Sequence, residues 1–126
     1  MSTVYYFLPI YNEAAQIASL IDALTRIPLP EDYRSRIVAV NDGSTDGTMA
    51  ILEAAKENLP LEIVSYAPNQ GIPTVLKRGF AHILPRLKDD DIVIIMESDG
   101  TSDLSVVPQF VERIRTGADI VIGSRS

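Results

Sequence analysis

At residues 37–48 the chain reads IVAVNDGSTDGT, which changes abruptly from apolar to polar residues. Four consecutive apolar residues rich in Val and Ile, Ile37 to Val40, are typical of a strand buried on both faces of a sheet. Asn, Asp and Gly favour turns and helix caps, so we expect the strand to end at Val40 and a helix to begin near Thr48. The polar residues then lie at the carboxyl end of a buried strand, where open α/β sheets bind their ligands.

The same pattern occurs a second time. The apolar run 92–96 is followed directly by Glu97, Ser98 and Asp99. Because the carboxyl ends of parallel strands share one edge of a sheet, both sets of acidic residues are expected to contribute to one site.

Hydrophobic periodicity predicts that strands and helices alternate along the chain. The predicted strands are 4–10, 37–40, 61–66, 92–96 and 120–122, and the predicted helices are about 12–26, 48–58, 72–84 and 106–115. We expect Asn12 or a neighbour to cap the first helix, Pro9 to mark a strand end or an edge position, and Pro85 to kink or end the third helix. Alternation of this kind predicts an α/β fold with a mostly parallel sheet of about five strands and helices on both faces.

Composition narrows the classes of partner. The chain has 126 residues, enough for one domain, and its net charge of -6 argues against a nucleic acid as the main partner. The absence of cysteine excludes disulfides, thiolate metal sites and thiol nucleophiles. The sequence shows no secretory signal and no apolar run of membrane-spanning length, so a cytoplasmic location is expected. An acidic protein that binds an anionic ligand generally needs a cation or helix N-termini to do so.

Polar side chains after three of the strands are candidates for ligand contacts. Tyr11 offers an aromatic face to a planar base, and Glu13 and Asp42 can accept hydrogen bonds from a base or ribose. Glu97 and Asp99 are two residues apart, so in an extended chain both carboxylates point to the same side and can hold one Mg²⁺ or Mn²⁺.

Each candidate also has a purely structural interpretation. The polar residues around Asp42 can form a turn and a helix cap, and Tyr11 can be a packing residue. Acidic residues such as Glu97 and Asp99 often precede helices, because their negative charge interacts favourably with the positive end of the helix dipole. His82 lies one position off the apolar stripe of the third helix, so we interpret it as a helix-surface residue with no catalytic role.

The same residues carry a family resemblance. The segments PIYNE at 9–13 and NDGSTDGT at 41–48 resemble the two N-terminal signatures of the family 2 glycosyltransferases, enzymes of the GT-A fold. NQG at 69–71 resembles the family's Asn-x-Gly turn, ESD at 97–99 falls at its Asp-x-Asp motif, and GSR at 123–125 matches a later motif. Order and spacing hold along the whole chain, and the resemblance is to dolichol-phosphate mannosyltransferase and the polyprenyl-phosphate glycosyltransferases among the members.

The resemblance implies a role for individual residues. The positions that hold the nucleotide of a sugar nucleotide correspond to Pro9, Tyr11, Glu13, Val40, Asp42 and Ser98. Residues 43–48 are then expected to form the turn and helix start that hold Asp42 in place. The positions that bind the metal bridging the diphosphate correspond to Asp99 and Glu97, with Thr101 in the same loop. A Mg²⁺ or Mn²⁺ ion there neutralises the diphosphate against an acidic site.

The resemblance also implies the reaction. Family members typically transfer a sugar from a nucleotide-diphosphate sugar, UDP- or GDP-linked, to a polyprenyl phosphate or a saccharide, with inversion at the anomeric carbon. A lipid phosphate is already ionised and needs little base assistance, whereas a hydroxyl acceptor needs a general base. The full protein is expected at the cytoplasmic face of a membrane, and the exposed fifth strand is expected to allow a homodimer.

The resemblance places the acceptor-binding half of such an enzyme after the GSR motif. We therefore expect residues 1–126 to form one sugar-nucleotide-binding domain that stops before the acceptor-binding part and is inactive alone. The acceptor-side residues are expected beyond Ser126, so no catalytic residue is assigned within the chain.

Two positions depart from the family pattern. Glu97 replaces the first Asp of Asp-x-Asp, which keeps the charge, lengthens the reach by one methylene and makes Asp99 the safer metal ligand. Where many relatives have Asn-x-Gly-Lys-Gly, this chain has Ile72 and Pro73, so a cation near the site is missing.

Two other classes have doubly wound sheets and remain as alternatives. A sugar nucleotidyltransferase uses a loop rich in Gly and Arg after strand one, whereas residues 11–15 read YNEAA. A non-catalytic receiver-like domain needs an Asp after strand three and a Lys after strand five, where this chain has Ala67-Pro68-Asn69 and GSR.

Overall fold

A computed structural model describes residues 1–96, 104–114 and 120–122. Its sheet has five strands in the order β3-β2-β1-β4-β5, and every neighbouring pair is parallel. The strands are β1 (Ser2–Ile10), β2 (Tyr33–Asp42), β3 (Leu61–Tyr66), β4 (Ile92–Ile95) and β5 (Ile120–Ile122). The helices are α1 (Ile17–Thr25), α2 (Thr48–Lys56), α3 (Ile72–Ile83) and α4 (Val107–Ile114). The predicted α/β fold with a parallel sheet is confirmed.

Helices cover both faces of the sheet. Alternate residues of the strands, such as Tyr6 and Ile94, face α1, α2 and α4, while their neighbours, such as Phe7 and Val93, face α3. Both sets are fully buried, which explains why the strands read as continuous apolar runs without alternation.

Strand β2 is longer than predicted. It begins at Tyr33 and continues through Asn41 and Asp42, which pair in register with Ser65 and Tyr66 of β3. The expectation that Asn and Asp would end the strand is wrong, because the neighbouring strand supplies ladder partners and hydrogen bonds satisfy both side chains.

Helix α1 is shorter than predicted. It begins at Ile17 after Gln16, not near Asn12, so the prediction that Asn12 or its neighbour caps the helix is wrong. Asn12 has a φ of 52°, in the left-handed region, and belongs to a loop that bonds to residues after β2. Those contacts replace a first helical turn.

The two prolines behave differently from each other. Pro9 lies inside β1, a central strand, and is paired with Val40; the ladder with β4 covers only Val4 to Phe7, so Pro9 lies beyond it. Pro85 fulfils its prediction: α3 ends at Ile83, and residues Leu84–Arg86 form one 3-10 turn. The observed bounds of α2, β4 and α4 lie within a few residues of the predicted bounds.

The order of the strands determines which of their carboxyl ends lie beside the switch point of the sheet. The chain moves outward from β1 through β2 to β3, then returns to the other side of β1 with β4 and β5. The sheet therefore has a switch point between β1 and β4, and loops leaving the carboxyl ends next to it border a crevice.

Candidate functional site

Three loops leave the carboxyl edge of the sheet side by side. Ile10 pairs with Asn41, and Asn41 pairs with Ser65, so β1, β2 and β3 end at nearly the same level. The loops that follow them, residues 11–16, 43–47 and 67–71, form the candidate site. The edge predicted from the sequence as the ligand-binding edge is thus built from adjacent loops.

The first two loops are joined by hydrogen bonds. The main-chain N–H of Asn12 donates to Ser44 Oγ (2.9 Å), and the Asn12 Oδ1 accepts from the N–H of Thr45 (2.8 Å). The N–H of Glu13 donates to Thr48 Oγ1 at 3.0 Å. These bonds set the path of the chain directly after Tyr11.

Asp46 anchors the start of α2. Its carboxylate accepts from the N–H and the hydroxyl of Thr48, and more weakly from the N–H of Ala14 at 3.3 Å. The hydrogen bonds from Thr48 hold the pKa of Asp46 below its usual value. Asp46 therefore links α2 to the first loop while remaining at the surface.

Asn41 connects the site to the core beneath it. Its side chain is 2% exposed, and its Oδ1 accepts from the N–H of Ser44 at 3.3 Å. Its Nδ2 lies 3.3 Å from Ser65 Oγ and from Met49 Sδ. A polar residue is tolerated at this buried position because each of its polar atoms has a partner.

Asp42 is buried and fixes the third loop. Its side chain is 4% exposed. Oδ2 accepts from Asn69 Nδ2 (2.7 Å) and from the N–H of Gly71 (2.9 Å), and Oδ1 accepts from the N–H of Gln70 (2.9 Å). Asn69 Nδ2 also lies 3.1 Å from the main-chain oxygen of Asp42, so one amide group bridges both parts of the residue.

These contacts control the charge of Asp42. Burial alone would raise the pKa of this carboxyl, but the N–H groups of Gln70 and Gly71, together with the nearby hydroxyl of Tyr66, lower it below its usual value. Burial and the same carboxylate raise the pKa of Tyr66 to about 12. Asp42 is therefore an anion at neutral pH. The hydrogen-bond donors of the third loop stabilise its negative charge in place of water.

Gly43 allows the third loop to approach the second. Its φ is +68°, and a Cβ there would lie 2.3 Å from the main-chain N of Asn69 and 2.6 Å from the carbonyl carbon of Pro68. Only glycine fits this position without moving the backbone.

Residues 43–48 form the expected turn and helix start, with Thr48 as the first residue of α2, but the expectation that they hold the Asp42 side chain is wrong. Ser44, Thr45 and Thr48 bind the first loop instead. The Asp42 carboxylate is held by the third loop, which follows the neighbouring strand.

The sequence contains a signal for this contact. Asn69-Gln70-Gly71 is recognisable as a turn motif, but the motif alone does not indicate which residue the turn binds. In the structure, all three residues donate to Asp42. The two motifs are thus halves of one hydrogen-bonded unit, a relation that a separation of 27 residues hides from a reading of local patterns.

Besides Asp42, the structure places four more of the predicted nucleotide contacts near this edge. Tyr11 is 45% exposed at the start of the first loop, and Pro9 is half-buried two residues earlier. Glu13 is partly buried, and its main-chain oxygen accepts from the N–H of Ile17 at the start of α1. The Val40 side chain is fully buried beneath α3, which leaves only its main chain for a ligand.

The remaining predicted site residues lie outside the described part of the chain. They are Glu97, Ser98, Asp99 and Thr101. Strand β4 ends at Ile95 and leads directly into this segment, and the N–H of Met96 donates to the oxygen of Phe7 in β1. Within residues 1–96, 104–114 and 120–122, no group of three His, Asp or Glu side chains is placed to hold a metal ion.

The expected boundary at Ser126 also lies outside the described residues, which end with β5 at Ile122. That division of the protein stays a prediction.

A second charged cluster lies toward the opposite end of the sheet. Glu62 pairs with Arg36, with His82 Nε2 (2.6 Å) and with Arg86 Nη1 (2.6 Å). Burial opposes ionisation of Glu62, but these three partners lower its pKa to about 2. His82 is therefore part of an ionic cluster that joins α3 to β3, in addition to being a residue of the helix surface.

The fold and the site define the class of this domain. A parallel sheet in the order β3-β2-β1-β4-β5, with polar loops at the carboxyl edge beside the switch point, is a Rossmann-like, doubly wound α/β domain of the kind that binds ligands at that edge. The chain matches the glycosyl transferase family 2 profile over residues 6–126, and it therefore belongs to glycosyl transferase family 2.

Curated proteins with similar sequences include several that are named as sugar transferases. The chain is 27% identical to the dolichol-phosphate mannosyltransferase of Pyrococcus furiosus, in an alignment that covers 97% of the chain and 33% of that protein. It is 30% identical to the bactoprenol glucosyl transferase of Shigella phage SfX, covering 94% and 38%. It is 29% identical to the undecaprenyl-phosphate 4-deoxy-4-formamido-L-arabinose transferase of Pseudomonas syringae pv. syringae, covering 94% and 34%. The chain thus spans about a third of the length of the curated relatives it matches.

Among the described residues, no helix is both long and apolar enough to cross a lipid bilayer.

Proposed function

We propose that this chain is the donor-binding part of a glycosyltransferase that takes a sugar from a nucleotide-diphosphate sugar. The observation that carries the proposal is the convergence of three polar loops on the carboxyl edge, next to the switch point of the sheet. Membership of glycosyl transferase family 2 supports the same conclusion. The proposed acceptor is a polyprenyl phosphate, because the names of the relatives describe dolichol-phosphate, bactoprenol and undecaprenyl-phosphate enzymes. A saccharide acceptor is the second candidate.

The nucleoside is proposed to lie over the ends of β1 and β2. Tyr11 is exposed and presents a ring for stacking on a base, while Glu13 and the main chain at Pro9 and Val40 border the same space. The hydrogen bonds between Asn12 and the second loop fix the main chain directly after Tyr11 before the ligand arrives, which lowers the ordering cost of binding.

A divalent cation is proposed to bind the diphosphate. Glu97, Asp99 and Thr101 offer two carboxylates and a hydroxyl, a donor set that fits hard cations such as Mg²⁺ and Mn²⁺, and Ser98 lies between the two acids. When bound, the metal stabilises negative charge on the leaving nucleotide. The described end of β4, parallel to β1, lies at the same edge of the sheet as the three loops, and in sequence these residues follow it directly.

The chemistry at the anomeric carbon is proposed to invert its configuration. The acceptor oxygen attacks from the face opposite the nucleotide, a new C–O bond forms, and the electron pair of the broken bond stays with the diphosphate. An ionised lipid phosphate attacks without a base, so no catalytic base is assigned to the described residues. Attack on a lipid acceptor would place the protein at a membrane surface, on its cytoplasmic face.

Calorimetric titration of the protein with UDP and, separately, GDP tests this proposal. In the presence of MnCl₂ we expect one of the two nucleotides to bind, and Asp99→Asn should weaken that binding by about tenfold or more. The matched control is Asp89→Asn, which removes an equivalent charge from an exposed turn at the other end of β4 and should leave the affinity unchanged. Equal affinities with Mn²⁺ and with EDTA would refute the metal site, and absence of binding by both nucleotides would refute the proposed donor.

A further inference from the structure

We infer that Ile72, the first residue of α3, is a further nucleotide-binding residue, whose side chain forms an apolar wall of the nucleoside site and packs against the base. The inference rests on the proposed function for the identity of the ligand. It adds a residue to that site and leaves the roles of Tyr11 and Asp42 as the family resemblance implies them.

Ile72 is one of the few large apolar side chains that the fold leaves exposed. Among the described residues, these side chains belong to Met1, Tyr11, Ile72 and Leu84. Tyr11 and Ile72, which are 45% and 58% exposed, both lie at the carboxyl edge, in the first loop and directly after the third. Single exposed apolar residues are common, but two that border the same polar edge indicate a ligand site.

The helical period of α3 directs the Ile72 side chain over the ends of the strands. The residues of α3 that are buried against the sheet are Val75, Gly79 and Ile83. Ile72 shares their face because it precedes them by three, seven and eleven positions. It is nevertheless exposed, since it lies one turn beyond Val75 toward the carboxyl edge. The Cα–Cβ bonds of a helix tilt toward its N-terminus, which in α3 is the end at that edge.

Helix α3 lies over the two strands whose ends border the proposed nucleoside site. It contacts β1 and β2 as well as β3. A Cβ on Gly79 would lie 2.0 Å from the ring of Phe7 in β1, so helix and strand are in close contact. A side chain that continues this face beyond the strand ends therefore lies above β1 and β2, on the side of the site that α3 borders.

The main chain fixes Ile72 beside the Asp42 carboxylate. The N–H of Gly71 donates to Asp42 Oδ2 at 2.9 Å, and Gly71 has a φ of +93°. Pro73 follows Ile72 and restricts the chain on its other side. Because isoleucine is branched at Cβ, it has one strongly preferred χ1 rotamer in a helix, so the wall needs little ordering when a ligand binds.

An apolar side chain at this position fits a base better than a phosphate. It gives a planar base dispersion contacts and removes it from water, whereas it offers a charged diphosphate no hydrogen bond. Asp42 Oδ1 accepts one hydrogen bond from the N–H of Gln70 and has a further acceptor position for an N–H or O–H of the nucleoside. A base over the end of β2 thus covers Ile72 with its face while its polar edge meets Asp42.

Binding of a nucleotide and of its nucleoside separates a base contact from a diphosphate contact. In the presence of MgCl₂, the protein is titrated with whichever of UDP or GDP the unaltered form binds, and separately with uridine or guanosine to match. Amide chemical shifts measure both affinities at a temperature where every variant is folded. We expect Ile72→Ala to weaken both by about tenfold and Ile72→Val by about threefold, in proportion to the apolar surface lost.

The other exposed apolar residue at an end of α3 provides the control. Leu84 is 50% exposed in the 3-10 turn that follows the helix. Leu84→Ala should leave both affinities unchanged, and neither alanine variant should lower the midpoint of thermal unfolding appreciably, because both side chains are already exposed. Full affinity in Ile72→Ala would overturn the inference. A loss restricted to the nucleotide would also overturn it, because Ile72 would then lie against the diphosphate, and so would an equal loss in Leu84→Ala.

Nuclear Overhauser effects test the contact directly. In the nucleotide complex, the methyl protons of Ile72 should show these effects to protons of the base, and those of Leu84 should show none. Effects between the base and other methyl groups, with none from Ile72, would overturn the inference. Failure of the unaltered protein to bind either nucleotide would refute the proposed function and the inference with it, whereas normal binding without a contribution from Ile72 refutes the inference alone.

Discussion

At the scale of single residues, two tyrosines show what a buried hydroxyl contributes. Tyr6 is fully buried, and its hydroxyl has no hydrogen-bond partner among the described residues, whereas the Tyr33 hydroxyl donates to the oxygen of Asp90 at 2.7 Å. We expect Tyr6→Phe to leave the free energy of unfolding unchanged or to raise it by up to about 1 kcal/mol, and Tyr33→Phe to lower it by about 1 kcal/mol. Urea denaturation of both variants measures the difference; an equal loss in both would contradict the assignment of partners.

Two glycines of the site loops form another matched pair. Gly43 has a φ of +68° and lies against the third loop, whereas a Cβ on Gly47, at the start of α2, would meet no described atom within 4 Å. Gly43→Ala should lower the free energy of unfolding by about 2 kcal/mol or more, and Gly47→Ala by less than about 1 kcal/mol. Similar losses in thermal unfolding of the two variants would show that the third loop is not packed as described.

Residue identities predict at which edge of the sheet the polar side chains lie, but they do not predict the hydrogen-bond partners of those side chains. Asp42 lies at the carboxyl end of β2, the edge where the sequence places it, yet its hydrogen bonds to residues 69–71 depend on the pairing of β2 with β3. That pairing is a property of the sheet, and the residue pattern near Asp42 carries no information about it. The same limit applies to Asn12, which resembles a helix cap in sequence and bonds to Thr45 in the structure.

At the scale of elements, the cluster around Glu62 makes the attachment of α3 to the sheet depend on pH. The folded-state pKa of Glu62 is about 2, below its ordinary 4.5. A lowered carboxyl pKa stabilises the fold above the unfolded value, so the contribution is complete above about pH 4.5 and is lost as the pH falls toward 2. Solvent screens the partly exposed arginines of the cluster, which limits this contribution to about 1–2 kcal/mol.

Glu62→Gln is the variant that tests this dependence. We expect it to lower the free energy of unfolding by about 1–2 kcal/mol at pH 7 and to approach the unaltered protein near pH 2. Asp22→Asn, which breaks an exposed pair with Arg26 at 3.2 Å, is the control and should cost less than about 0.5 kcal/mol. Denaturation curves at about pH 7, 4 and 2.5 provide the comparison; a pH-independent difference would contradict the ionic origin.

The positions of elements are predicted well where burial decides them and poorly where loops do. Strands β3 and β5 have the predicted bounds, and Pro85 ends α3 as expected. The predicted start of α1 is about five residues too early, because the apolar stripe begins at Ile17 while the preceding residues bond to the loop after β2. Helical periodicity indicates which face of a helix is buried. It does not indicate contacts with another loop that compete with the first helical turn.

At the scale of the whole molecule, the alternation of elements is sufficient to predict the architecture. A parallel sheet with helices on both faces follows from strands that are apolar throughout, since both of their faces are buried. The order β3-β2-β1-β4-β5 then brings loops distant in sequence to one edge. The sequence does not predict which loops contact each other. Those contacts join residues 27 to 35 positions apart, and they depend on the register in which the strands pair.

The proposed nucleotide site lies over the ends of β1 and β2, between the first and third loops. Magnetic resonance mapping of the ¹⁵N-labelled protein tests this most directly, with UDP or GDP added in the presence of Mg²⁺. We predict that the largest amide shifts occur at residues 11–13, at Gly43, at Gln70 and Gly71, and in the segment 97–101. Shifts centred instead on Glu62, His82 and Arg86, at the other end of the sheet, would contradict the account.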